Sequence, residues 1–450
     1  MSVPIRDHQF ATSSPRVLEV RLSDFQRMML YWDAWWPFQV VDTVELSGIV
    51  DAEELRLAAE TVLDELGIAN YQIDSRRGRC RYRSGPAHVE VNFLDGTGDR
   101  QAHLERHVSA ELTRRFTLNV DPLVRFWILS GDDSYTVGMT WQHWFADGVT
   151  AAELLRRVLE HMRGTRTIGP DVLLGFQPPC GDPFFRHRGL AWRCEEIRQV
   201  LLATIAGIGV RRMRPSQSPE LRAKSRILTL PDDCLVRLLR VSRRAGMTLN
   251  DLLIAALARA VHDAKAAGPS TWFGSRIRII NMVDLRPYAD ISLRGVGGQY
   301  LALMTAEIPT SLLRDVSKLL DHIHRHTSNV KQKQLFFAAR LGFLLGRWIL
   351  DYTPRSWRSR TISNTIPMTA LITNLRLSTP WDELPLCSSI RKYQRFLPPN
   401  LSSPVVLGIT TNGDELTATI TVRSDDIRVE TVASILESNI VALIDELSDS

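Results

Sequence analysis

Cysteine is sparse and unpatterned in this 450-residue chain: Cys80, Cys180, Cys194, Cys234 and Cys387 lie far apart, with no CxxC pair. That spacing excludes a disulfide framework or a zinc ribbon and fits reduced thiols in a cytoplasm. Long apolar runs are missing too. Val200 to Val210 is too short to span a bilayer, and Leu335 to Leu350 is interrupted by Arg340 and Arg347. The stretch Met1 to His8 has no apolar h-region, so no secretory signal is expected there. Two catalytic fingerprints are also absent. There is no GxSxG nucleophile elbow, and Gly295, Gly297 and Gly298 lack the strand-turn-helix context of a dinucleotide site.

What is present is an ordinary soluble composition, 44% hydrophobic and 23% charged, on a chain long enough for a large core in two domains or subdomains. The most informative run is Gln142-His143-Trp144-Phe145-Ala146-Asp147-Gly148. Tyr135 to Trp141, upstream, is rich in β-branched and aromatic residues and reads as a strand. Downstream, Ala151, Leu154, Leu155, Val158 and Leu159 recur at helical spacing, with arginines on the other face. His143 therefore stands where a strand hands over to a helix, a place that often presents catalytic groups. A neutral imidazole suits proton abstraction near neutral pH. The plain alternative is a strand-end histidine followed by an Asp-Gly turn.

The spacing predicts a strand at Val44, a Gly48 turn and a helix from Asp51 through Leu66. Leu55, Leu57, Ala58, Val62 and Leu63 would face inward, with Asp51 and Glu54 in a capping box. Further strands are expected at Cys80–Ser84, Val89–Phe93, Val124–Leu129 and Ile227–Leu230. Helices are expected over Asp232–Ala245 and from Thr248, with Thr248 as N-cap and Asp251 at the third helical position. Val405–Thr410 and Leu416–Val422 flank Asn412-Gly413, a hairpin signal. These readings divide the chain into residues 1–168, a Pro/Gly-punctuated crossover at 169–224, and residues 225–450, with Arg211 to Pro219 basic and exposed.

The HxxxDG run resembles the active-site motif of the thioester-dependent acyltransferase superfamily. That group includes chloramphenicol acetyltransferase, condensation domains, wax ester synthases and polyketide-associated acyltransferases. Four further segments are similar to the family in the same order: Leu22-Ser23-Asp24 with Val44 to Asp51, Arg115 to Leu118 with Asp121 to Arg125, Asn281 to Pro287, and Ile372-Thr373-Asn374-Leu375. The chain departs from the pattern where Gln142 replaces the first histidine of a tandem pair, where Gln299 follows Gly298, and where Arg376 follows the Asn-Leu pair. The resemblance implies an α/β (α+β) fold of two chloramphenicol-acetyltransferase-like subdomains in a V, with His143 midway along a central channel.

On that resemblance, His143 is the general base, Asp147 orients the motif through Arg286, and the amide of Gly148 helps hold the oxyanion. Trp144 narrows the channel or packs in the core, and Asn374 lines the channel, contacts the donor or closes a turn. No bound cofactor or metal is implied. The substrate is an acyl-CoA or phosphopantetheine thioester, and a hydroxyl or amine accepts the acyl group. The net charge of +5 fits coenzyme A phosphates, an acidic acyl carrier protein or an anionic membrane surface, with no nucleic-acid motif beside it. No carrier domain is visible, so both substrates are expected in trans to a cytoplasmic monomer, with peripheral membrane contact open. Two rivals remain: a stand-alone condensation enzyme and a non-catalytic carrier-docking protein.

Three other stretches carry two readings each. Tyr31 to Phe38 is a channel wall or membrane contact, or else core. Leu335 to Leu350 is a lipid-facing amphipathic helix, or a buried one with snorkelling arginines. His322, His324 and His326 lie on a helix without the cysteines or carboxylates of a metal site.

Overall fold

Apolar strands bounded by polar turns gather into two large sheets. The computed structural model describes residues 17–448 except 49–50, 132, 165–174, 177–183, 185–188, 211, 214–221, 267–271, 290–291, 366, 378–389, 401 and 424–426. Much of the expected crossover, and most of the basic stretch 211–219, lie outside the described residues.

The chain begins β1 (Val17–Arg21), α1 (Asp24–Trp35), β2 (Gln39–Ser47), α2 (Ala52–Glu65), β3 (Asn70–Asp74), β4 (Arg79–Arg83) and β5 (Val91–Leu94). There follow α3 (Arg100–Thr113), β6 (Val124–Ser130), β7 (Ser134–Gln142), α4 (Gly148–Met162), α5 (Leu190–Ala206) and β8 (Ala223–Ile227). Next come α6 (Cys234–Arg244), α7 (Leu249–Ala266), β9 (Arg276–Asp284), β10 (Leu301–Pro309), α8 (Val316–Gln332) and α9 (Ala339–Tyr352). The order ends α10 (Arg355–Thr365), β11 (Ala370–Arg376), β12 (Ile390–Phe396), β13 (Val405–Asn412), β14 (Glu415–Arg423) and α11 (Val429–Ser448), two-residue strands being left unnumbered.

One sheet runs β12-β2-β7-β6-β5 and the other β8-β14-β13-β11-β9-β10, with a small β1-β4-β3 sheet beside the first. The mixed α/β architecture is the expected one. One strand crosses between the halves: β12, from the second, pairs antiparallel with β2, setting Arg395 opposite Asp42. The first core joins β2, β6 and β7 to α2 and α4 through residues such as Val44, Val62, Ile128, Val137 and Leu155. The second packs Ile279, Ile372 and Leu407 of the six-stranded sheet on Leu253, Ile323 and Leu436. No described helix is long and apolar enough to cross a membrane.

Local chemistry explains the element boundaries. Thr248 and Asp251 form a reciprocal capping box, each side chain accepting from the other's backbone N–H at 3.0 and 3.3 Å. Gly413, at φ +55°, closes the hairpin in which Asn412 pairs with Glu415. Four expectations need correction. Asp51 caps α2 by accepting from Glu53 N at 2.8 Å, without a capping box to Glu54. Leu57 is half exposed, because it stands two residues from buried Leu55 and so points to the opposite side of α2. Arg156 is buried on α4, where Glu153 and Glu160 neutralise it. The strand expected at Ile227–Leu230 is Ala223–Ile227, drawn earlier by its pairing with β14.

The aromatic cluster resolves as core for Trp32, Trp36 and Phe38. On α9 the inner face buries Phe343 and Leu350, while Arg347 pairs with Asp24 at 2.8 Å and Asp351 at 2.7 Å, and Trp348 and Tyr352 are exposed. Gly138 on β7 faces Trp127 so closely that a Cβ there would lie 2.0 Å from the indole ring. Gly138→Ala is therefore expected to destabilise the protein by about 1–3 kcal/mol, the usual cost of overpacking. Chemical denaturation checks this; an unchanged midpoint would mean that Trp127 can move aside.

Candidate active site

β7 ends at Gln142 and α4 begins at Gly148, so residues 143–147 form a tight turn between two buried elements. Side chains from distant parts of the chain bind its carbonyls. The Gln299 amide donates to the carbonyls of both His143 and Ala146. Gln26, on α1, donates to Trp144 O at 3.0 Å, and Arg395 Nη2 donates to Gly148 O at 2.8 Å. Two amides of the turn are bound from outside it as well, His143 N to Phe38 O at 3.2 Å and Asp147 N to Gly298 O at 2.9 Å, and Phe145 N closes on Gln142 O at 3.3 Å. The turn is thus fixed by partners outside itself, as a preorganised site requires.

Asp147 is fully buried and caps α4, accepting from Thr150 N at 2.9 Å. Its other oxygen accepts from Tyr300 N at 2.9 Å. The guanidinium of Arg286 reaches it at 2.9 and 3.1 Å, and also bonds Asp284 and Thr150 Oγ1. Burial alone would raise the Asp147 pKa, but Arg286 and the two amides hold it below the ordinary carboxylate value. The structure thus sets Arg286 against Asp147, across 139 residues of sequence.

The His143 ring is 6% exposed, stacked on Phe38 at 5.1 Å and meeting Trp141 edge-on at 5.3 Å. Its Nδ1 is buried and makes no hydrogen bond of ordinary length and angle. Burial disfavours the imidazolium and lowers the pKa to about 4, with Arg395 adding repulsion and the backbone carbonyls of Ala146 and His143 pulling the other way. The ring is therefore neutral at pH 7, as a proton acceptor must be.

A second buried ion pair stands behind the turn. Arg395 meets Asp42 at 2.6 and 2.9 Å, and Trp141 Nε1 donates to Asp42 at 3.1 Å. A Cβ at position 148 would lie 2.0 Å from Arg395 Nη1, so any larger residue there would displace the guanidinium from its present path. Close approach was expected at Gly148; the group that approaches is this arginine.

Two further sequence-predicted residues are held by local contacts. Trp144 is buried in the first core, its Nε1 donating to Gln142 Oε1 at 2.8 Å, as the core-packing alternative has it. Asn374 donates to Asn250 at 2.9 Å and shares a strand face with core residue Ile372, opposite Leu371 and Leu375. It therefore fastens β11 to the start of α7. Gln142 itself is used up by Tyr71, Pro122 O and Trp144. His322 and His326 bond the carbonyls of Glu307 and Thr305, and His324 bonds Asp251. Among the described residues no cluster is arranged to hold a metal.

Sequence reasoning missed Asp42 and Arg395. The available signal was a lone carboxylate in the apolar strand Val40-Val41-Asp42-Thr43-Val44. Gln299 was noticed only as a departure, and its clamping role needed coordinates.

No known sequence-family profile matches the chain, nor does any curated protein sequence. Solved structures do. The first condensation domain of the calcium-dependent antibiotic synthetase, bound to a substrate analogue, aligns at TM-score 0.68 and 13% identity, over 96% of this chain and 97% of that one. The condensation domain of the Monacolin K polyketide synthase MokA aligns at 0.61 and 14%, over 96% and 98%. A starter condensation domain of rhizomide synthetase RzmA, an arginine-to-alanine mutant in complex with C8-CoA, aligns at 0.65 and 14%, over 96% and 95%. The chain therefore has the fold of condensation domains, the two-subdomain chloramphenicol-acetyltransferase-like architecture.

Two stability effects follow. Arg286→Gln leaves Asp147 buried without its cation and should cost about 3–5 kcal/mol, whereas Asp147→Asn combined with Arg286→Gln should lose less than the sum of the single changes. Denaturant unfolding of the four proteins reads this; additive losses would contradict the pairing. The folded pKa of His143, about 4, lies below its ordinary 6.5, so the unfolded chain takes up a proton first. The stability contribution is full above pH 6.5 and is lost as pH falls towards 4. His143→Gln should flatten that acid-side loss; an unchanged slope would mean that the ring is already charged when folded.

Proposed function

We propose that the protein is a thioester-dependent acyltransferase, which moves an acyl group from a coenzyme A or carrier-bound phosphopantetheine thioester to a hydroxyl or amine. The observation that carries this reading is a neutral, buried imidazole at a turn whose carbonyls are fixed by three distant side chains. A hydroxyl or amine attacks poorly while it keeps its proton. His143 accepts that proton as the new bond to the acyl carbon forms. The tetrahedral intermediate then collapses, the carbon–sulfur bond breaks, and the imidazolium returns the proton to the leaving thiolate. No covalent acyl-enzyme is needed. In this scheme Gly148 N–H, in the first turn of α4, is the candidate donor to the oxyanion, and Asp147 is a positioning residue that acts through the turn.

The condensation-domain neighbours favour a second, closely related reaction, in which carrier-tethered donor and acceptor are joined as an amide. The neighbour that holds C8-CoA favours a free thioester donor. Gln142 and Gln299, where the chain departs from the acyltransferase pattern, are the features that would favour a docking protein without catalysis. Both glutamines have structural employment here, so neither is a sign of a lost site.

The test is thiol release from acyl-CoA and acyl-carrier thioesters with mixed alcohols and amines. Acceptor-dependent release is expected from the wild type, with a loss on the order of 10²–10⁴ in His143→Ala. Equal release by the two proteins would remove His143 as the base, and carrier binding without release from any thioester would favour docking.

A further inference from the structure

Two concavities of the surface meet at Arg77. The outer one, about 550 Å³, lies on the small sheet and is lined by Gln72 to Arg77 with Glu19, Arg79 and Arg81. The inner one, about 510 Å³, continues from Arg77 past Arg21 and Arg27 into a lining of Phe25, Phe184, Phe336, Phe337 and Phe343. Gln299 also lines it, and this is the residue whose amide binds the carbonyls of His143 and Ala146. The path therefore grades from cationic at the surface to aromatic inside, and it reaches the clamp of the candidate base.

The charge at the mouth is largely uncompensated. β4 turns Cys80 and Tyr82 inward, which leaves Arg79 and Arg81 on the outer face, where they share the one carboxylate of Glu19 at 2.7 and 3.1 Å. Arg77 has only a long contact to Asp74, at 3.6 Å. Among the described residues neither Arg21 nor Arg27 has an ion-pair partner. Arginines that converge on a concave site suit phosphate oxygens, and a phenylalanine-lined interior suits an alkyl or aryl chain.

We infer that the two concavities form one bipartite site for a free, phosphate-bearing acyl thioester of the coenzyme A type. Its phosphates rest on Arg21, Arg27, Arg77 and the outer arginines, and its acyl end lies among the phenylalanines beside Gln299. This rests on the acyl-transfer reading, and adds to it the donor's handle and its route of approach. The cations gather around a recess shared by both cavities, which fits a small polyanion more closely than a broad protein face.

The test compares octanoyl-CoA, octanoyl-pantetheine and an octanoyl carrier protein, by calorimetric binding to the full chain and by thiol release. Octanoyl-CoA should bind at least ~10-fold more tightly than octanoyl-pantetheine, a difference of about 1.4 kcal/mol. Added salt should erode that ratio. Arg77→Ala and Arg21→Ala, both at the surface, should each narrow it by roughly 2–5-fold. Equal binding of the two small thioesters, arginine variants that leave the ratio intact, or a preference for the carrier-bound thioester would overturn the inference. His143-dependent transfer alongside any of these would leave the acyltransferase reading standing. Arginine-dependent binding of octanoyl-CoA without transfer would keep the site and sink that reading.

Discussion

The ion pair between Asp147 and Arg286 is the constraint on which the candidate site depends. A carboxylate with no solvent exposure is costly to bury unless every lone pair is used. Here two backbone amides and a guanidinium use them, and each comes from a different place: the first turn of α4, Tyr300 before β10, and Arg286 after β9. The carboxylate therefore does more than cap a helix. It locks the start of α4 to the segment that follows the second sheet's β9, and so fixes the His143 turn relative to both halves of the chain.

The same logic is repeated with Asp42 and Arg395 on the other side of the turn. β12 leaves the second half of the sequence to pair with β2, and this brings Arg395 to Asp42 and to Gly148 O. With Gln299 and Gln26, the carbonyls of residues 143, 144, 146 and 148 are all spoken for. A turn held in this way has little freedom to reorganise when charge develops on a substrate, which is the condition under which fixed dipoles and a neutral base are most effective. The cost is carried by the ring itself. Packed between Phe38 and Trp141, it rests neutral at pH 7 and is a weaker base than a solvated imidazole, so the proton it takes from the acceptor is passed on readily to the leaving thiolate.

Much of this was legible in the sequence, and for identifiable reasons. Strand-turn-helix patterning located His143, because alternation and helical spacing are local properties. The Asp147–Arg286 pair was reached by resemblance alone, through the Asn281 to Pro287 run. What escaped depends on contacts between distant segments. Arg156 was assigned an outer face by its charge, yet α4 is buried on that side as well and Glu153 and Glu160 neutralise it there, whereas Leu57 was a local misassignment, since two residues from Leu55 it points to the opposite side of α2. Trp144 directly follows His143 in sequence, yet its indole is buried in the first core, and Asn374 is engaged by Asn250 at the start of α7. Asp42 and Arg395 sit in short strands more than three hundred residues apart, and only the strand exchange brings them together.

The central claim is that His143 acts as a base that is already neutral, shielded by burial. The most direct measurement is the pH dependence of kcat/KM for acyl transfer, taken with the best donor and acceptor pair. The acid limb is expected near pH 4, where the buried ring first takes up its proton. A limb at the ordinary histidine value of 6.5, unchanged in His143→Ala, would contradict the account.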